Sequence, residues 1–139
     1  MPVMPYLFFD GRCEEALNFY KTALGAEIGM MMRFKDNPEP PQEDSCGRDP
    51  AQVADKIMHA SFNVGGTTIM ASDGYARGQP KFEGFALSID AADEAEVDRK
   101  FAKLADGGQV QMPPGKTFFA RRFGMVADRF GVSWMVICE

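Results

Sequence analysis

The chain is poor in the residues that most often carry chemistry. Its 139 residues include one histidine, His59, one tryptophan, Trp134, and three cysteines, Cys13, Cys46 and Cys138. No CxxC pair occurs, which argues against zinc ribbons and thioredoxin-like redox sites. The odd, widely spaced set is expected as reduced thiols in a cytoplasmic protein. The 15 Lys and Arg form no basic stripe and the net charge is −5, so nucleic acid is not an expected partner. No apolar run approaches the ~20 residues of a membrane helix, so no membrane partner is expected either. The opening "MPVMPYLFFDGRCEE" lacks the basic start and long apolar stretch of a secretory signal. A Ser-His-Asp triad would have to be built on His59, and no serine or cysteine shows a matching partner set.

What is present is ordinary globular material, 45% hydrophobic and 25% charged, of the size of one domain spanning 1–139. "YLFFDG" (6–11) reads as a strand closed by Asp-Gly. In "RCEEALNFYKTALGAE", Cys13, Ala16, Leu17, Tyr20 and Leu24 recur at helical spacing, and Gly25 marks the stop. "AEIGMMMRF" (26–34) reads as a strand. Residues 35–56, with Pro38, Pro40, Pro41 and Pro50, predict a long mobile loop. "IMHASFNV" and "TTIMASD" form a hairpin about Gly65-Gly66. "GFALSID" (84–90) predicts a strand, 94–108 a helix with Val97, Phe101 and Leu104 inward, "QVQMPP" a strand, and the remainder two strands about Gly131.

The halves agree in order and in spacing. Asp10 leads to Leu24-Gly25 as Asp90 leads to Leu104 and Gly107, and methionine follows glycine by the same interval in Gly66 to Met70 and Gly131 to Met135. The expected fold class is therefore α+β: paired βαβββ units, about 4–75 and 82–139, whose curved mixed sheet surrounds an apolar cleft. Tyr6, Phe8, Met70 and Met135 are expected to line it.

Alternation along 57–64 puts His59, Ser61 and Asn63 on one strand face. His59 reads as a hydrogen-bonded strand histidine or, since imidazole titrates near neutrality, as a catalytic acid or base. Ser72 and Asp73 could orient it or a ligand, although Asp73 before Gly74 also reads as a turn aspartate. Phe118, Phe119 and Phe123 beside Arg121 and Arg122 suit an anionic or planar ligand, or else a strand with a solvated basic edge. Trp134 is expected under the helix, opposite Met135, and Asp128 in a turn. Cys13 belongs to the apolar stripe and is expected to be inert. Cys46 is the expected accessible thiol. The methionines of "GMMMRF" suggest an adaptable apolar surface.

"LFFDGRCEEALNFYKTALGAE" resembles the opening of the vicinal oxygen chelate superfamily, which includes glyoxalase I, the bleomycin-resistance proteins and dihydroxybiphenyl dioxygenase. "HASFNVGGTTIMASD" and "FFARRFGMVADRFGVSWM" resemble its PhnB-like branch, often labelled 3-demethylubiquinone-9 3-methyltransferase-like. No glycine-rich nucleotide loop follows a strand and opens a helix, as an adenosyl cofactor would require. The resemblance implies a homodimer, and it implies divalent-metal ligands on the first and last strands of each unit. Those positions fall near Pro5 or Tyr6, on Met70, near Gly84 or Phe85, and on Met135. Such side chains suit neither zinc nor magnesium, so no metal and no cofactor is expected. The resulting expectation is a small-molecule binding protein, its ligand held by Tyr6, Phe8, Ser61, Met70, Ser72, Phe118, Phe123 and Met135. The alternatives are a lyase, isomerase or dioxygenase rebuilt around His59, and a ligand-free structural or regulatory dimer.

Overall fold

The computed structural model describes residues 3–37, 53–74 and 80–139. Most of the 35–56 stretch expected to be a loop, and Cys46 within it, lie outside the described residues. The chain divides into two compact units, Met1–Pro80 and Lys81–Glu139.

In the first unit the elements run β1 (Tyr6–Phe8), α1 (Cys13–Leu24), β2 (Glu27–Arg33), a 3-10 turn (Phe34–Asp36), β3 (Ile57–Val64) and β4 (Thr67–Ser72). They form a four-stranded sheet in the order β1-β4-β3-β2, with β1 parallel to β4 and the other pairs antiparallel. The second unit repeats this order. Its elements are β5 (Leu87–Asp90), α2 (Glu94–Ala105), β6 (Gln109–Gly115), β7 (Arg122–Ala127) and β8 (Ser133–Cys138), with the sheet β5-β8-β7-β6. The two βαβββ units inferred from glycine and methionine spacing are thus present. The first strand of the second unit is shorter than its sequence suggested: Gly84 and Phe85 precede β5.

Each helix covers one face of its own sheet. α1 buries Cys13, Ala16, Leu17, Tyr20 and Ala23. Facing it are Leu7, Phe9, Ala60, Phe62, Ile69 and Ala71, all buried. Tyr20 stacks on Phe62 with ring centroids 5.7 Å apart. Each large side chain removed from water here contributes about 1.5–3 kcal/mol. α2 buries Val97, Phe101 and Leu104 against the Trp134 and Val136 side of β8. Gly124 admits Phe101, since a Cβ there would stand 2.8 Å from the phenyl ring.

Two buried carboxylates pin the units. Asp73 Oδ1 accepts the backbone N–H of Gly11 (3.0 Å) and Cys13 (2.7 Å), while Oδ2 accepts that of Ile57 (2.6 Å). The Asp73 N–H returns a bond to Ile57 O (2.8 Å). Arg12, at the N-cap of α1, makes no capping bond with its side chain, so Asp73 satisfies helix-start amides from sixty residues away. In the second unit, Asp128 Oδ1 accepts from Phe130 N and Val132 N, and Oδ2 from Trp134 Nε1 at 2.8 Å. Asp128 is therefore a turn residue, as its sequence setting suggested, and also the partner that lets an indole be buried.

Replacing Asp73 by Ala strands two buried donors, the Cys13 and Ile57 N–H groups, and the part-buried Gly11 N–H. At 1–3 kcal/mol for each unsatisfied group, the expected loss is about 3 kcal/mol or more, read as a lowered urea midpoint. Asp73→Asn keeps an acceptor for one side of the cluster and is expected to lose less.

Candidate functional site

The face of the first sheet opposite α1 gathers most of the residues singled out in the sequence. Paired residues on neighbouring strands share a face, so the register defines its contents. Tyr6 pairs with Met70, and Phe8 with Ser72, between β1 and β4. Ser61 pairs with Met70 between β3 and β4. Met30 pairs with Ser61, and Met32 with His59, between β2 and β3. Tyr6, Phe8, His59, Ser61, Met70 and Ser72 therefore lie on one surface, joined by Met30 and Met32.

At its centre, Tyr6 Oη and His59 Nδ1 are hydrogen-bonded at 3.1 Å, and their rings lie 5.6 Å apart. The Tyr6 ring also packs on Phe8 at 4.9 Å. His59 is thus a hydrogen-bonded strand histidine, and it is held on the open face rather than under the helix. No hydrogen-bond partner for its Nε2 lies among the described residues. Phe8 is 58% exposed and Met30 40%, while Ser72 is buried and its Oγ accepts from Gly74 N.

Bulges explain why this face could not be read completely from alternation. Gly29 is an extra residue between the Ile28–Phe62 and Met30–Ser61 pairs, and a Cβ on it would stand 3.2 Å from Ser61 Oγ. The bulge resets the alternation, so Met30 and Met32 face His59 and Ser61 while Met31 pairs with Ala60 on the helix side. A glycine inside an apolar strand was the available signal. A second shift, at Met58, lets Ile57 be buried although it shares the parity of His59.

The second unit holds the other candidates. Met135 pairs with Ser88 and Met125 on the face opposite α2. Phe123 is buried and packs on Phe119, with centroids 5.1 Å apart. Phe118 is fully exposed, touching Phe119 alone among the ring contacts described. The neighbouring arginines serve the fold. Arg121 Nε donates to Glu139 O at 2.7 Å, and Arg122 Nε to Asp98 Oδ1 at 2.6 Å. Both arginines are thus engaged in bonds within the chain. Trp134 lies under α2, as alternation required.

The resemblance implied divalent-metal ligands near Pro5 or Tyr6, on Met70, near Gly84 or Phe85, and on Met135, but Gly84 and Phe85 precede β5, so Ser88 is the residue that stands beside Met135. The first and last strands of the units meet as Tyr6 with Met70 and as Ser88 with Met135. Among the described residues no group of three or more His, Cys, Asp or Glu comes together. A phenol, a hydroxyl and two thioethers do not fit zinc, magnesium or manganese. No described helix is long and apolar enough to cross a membrane.

Two mixed sheets, each with one helix-covered and one open face, define the glyoxalase/bleomycin resistance fold. A superfamily member from Sphaerobacter thermophilus shares the fold at TM-score 0.59 and 17% identity, over 100% of this chain and 98% of that one. More specifically, the chain belongs to the PhnB-like family described as 3-demethylubiquinone-9 3-methyltransferase, whose model matches residues 2–137. Protein PA1353 from Pseudomonas aeruginosa is 44% identical, with TM-score 0.83, over 100% of this chain and 98% of that one. A PhnB protein from Bacillus cereus is 30% identical, with TM-score 0.78, over the whole of both chains.

Cys13 is buried, and both burial and the nearby Asp73 carboxylate push its thiol far above the ordinary range. Because the thiolate is the reactive form, Cys13 is expected to resist iodoacetamide in the folded protein even at pH 9. It is expected to react once urea unfolds the chain. Peptide mapping by mass spectrometry checks both states.

Proposed function

We propose that this PhnB-like protein binds a small molecule with an apolar or aromatic body on the open face of its first sheet, without the divalent ion of its superfamily. The observation that carries the reading is the Tyr6–His59 pair, a polar fixed point among Phe8, Met30, Met32 and Met70. Aromatic and thioether groups supply contact area, and the phenol and imidazole supply one oriented hydrogen-bonding locus. The homodimer implied by the resemblance belongs to the same proposal.

Methyl transfer, which the family description names, is not part of this reading. The Phe9–Arg12 connection from β1 into α1 contains no glycine-rich loop, and the Gly11 and Cys13 amides at the helix start are already bonded to Asp73.

An enzymatic reading rests on the same pair. A histidine oriented by a tyrosine, with Nε2 unpaired among the described residues, is suited to moving a proton. On this reading the two groups act as one acid–base unit on a molecule lying over Met70.

The test is an isothermal titration panel of planar aromatic ligands, with metal-free bleomycin and its bithiazole tail alongside, against the wild type, Tyr6→Phe and His59→Ala. The binding reading expects saturable one-site binding, weakened about tenfold by Tyr6→Phe with the unfolding midpoint retained, as befits loss of one oriented hydrogen bond. Equal affinity in all three proteins would overturn it. If a turnover assay is found, the enzymatic reading expects His59→Ala to abolish kcat. Retained kcat excludes that role.

A further inference from the structure

We propose that the open face of the first sheet also binds a soft monovalent metal ion, Cu(I) or its redox-inert analogue Ag(I), through His59, Met32 and Met70, with Met30 at the edge. The inference goes beyond the small-molecule reading and stands on a different observation, the register positions of three methionines around His59.

The register places these four side chains in two adjacent rows of one face. Met32 is the direct cross-strand partner of His59. In the next row Met30, Ser61, Met70 and Tyr6 follow one another across β2, β3, β4 and β1. Neighbouring strands lie about 5 Å apart and same-face residues along a strand about 7 Å apart. Three methionine side chains, each about 5 Å long and flexible, therefore stand within reach of one imidazole, Met32 directly opposite it and Met30 and Met70 flanking the small residue Ser61.

The second observation is the bond at the other ring nitrogen. Metal-ligating histidines characteristically hold the non-ligating nitrogen against a hydrogen-bond partner, which sets the tautomer and aims the ring. Tyr6 Oη occupies that position on Nδ1 at 3.1 Å. With Nδ1–H donating to the phenol oxygen, the Nε2 lone pair is directed away from Tyr6. No partner for Nε2 lies among the described residues.

Donor chemistry selects the ion. Thioether sulfur is a soft donor that favours Cu(I) and binds zinc, magnesium or manganese poorly. Neither row holds a carboxylate: Glu27, the nearest acidic residue of β2, pairs with Asn63 one row further away. Met70, one of the residues unsuited to a divalent ion, thus joins a set suited to a monovalent one.

The test is an anaerobic Cu(I) titration in competition with bicinchoninate, carried out on the full chain with Cys46→Ser to remove a competing thiol. One equivalent is expected to bind. His59→Ala is expected to weaken binding at least about tenfold, and the near-isosteric pair Met32→Leu with Met70→Leu at least about a hundredfold, with the unfolding midpoint retained. Tyr6→Phe, which alters a positioning residue, is expected to cost roughly tenfold. In methyl-labelled protein, Ag(I) is expected to shift the Met30, Met32 and Met70 resonances and to leave Met112 and Met125 in place. Absence of binding, undiminished binding in the double leucine variant, or shifts confined to other methionines would overturn the proposal. Titrations of aromatic ligands with copper chelator present test the small-molecule reading separately, so either can fail alone.

Discussion

The first unit depends on one buried carboxylate. Asp73 ties the end of β4 to the start of β3 and to the loop that enters α1. Three backbone donors that folding removes wholly or partly from water are satisfied by two oxygens, which is the condition under which burying a charge is tolerable. Because the bonds reach Gly11 and Cys13, they set where α1 begins and hence which sheet face it covers. The Arg33–Glu14 ion pair and the bond from Lys56 Nζ to Gly11 O reinforce the same corner from the surface.

Covering one face determines the chemistry of the other. Leu7, Phe9, Ala60, Phe62 and Ala71 occupy the α1 side and make a dry core. The alternate positions, Tyr6, Phe8, His59, Ser61 and Met70, are therefore projected together on the uncovered side. Their grouping follows from strand pleating and from the parallel return of β1 beside β4, which brings residues more than fifty positions apart into hydrogen-bond range. The Gly29 bulge adds two of the three methionines of β2 to that set and sends the third to the core side.

The second unit uses the same topology with different chemistry. Its buried carboxylate, Asp128, closes the β7–β8 turn and satisfies the Trp134 indole, whereas Asp73 caps a helix from a distance. Its open face carries Ser88 and Met125 beside Met135 and has no counterpart of the Tyr6–His59 pair among the described residues. One architecture thus places a polar pair in the first unit and a hydroxyl with thioethers in the second.

Much of this was legible before any coordinates. Helical spacing in 13–24 and 94–105, the glycine stops and turns, and the repeated Gly-to-Met interval suffice for two βαβββ units, because periodicity and glycine chemistry are local properties. Local alternation likewise put Trp134 under a helix and His59 on a face with Ser61. What only the tertiary structure decided was partnership across the chain: Tyr6 against His59, Asp73 against Gly11, Cys13 and Ile57, and the division of Met30, Met31 and Met32 between two faces. Those outcomes depend on strand order and on bulges, and a single inserted residue inverts every side chain beyond it. The sequence by itself determined the elements and their repetition; register between distant strands decided which side chains meet.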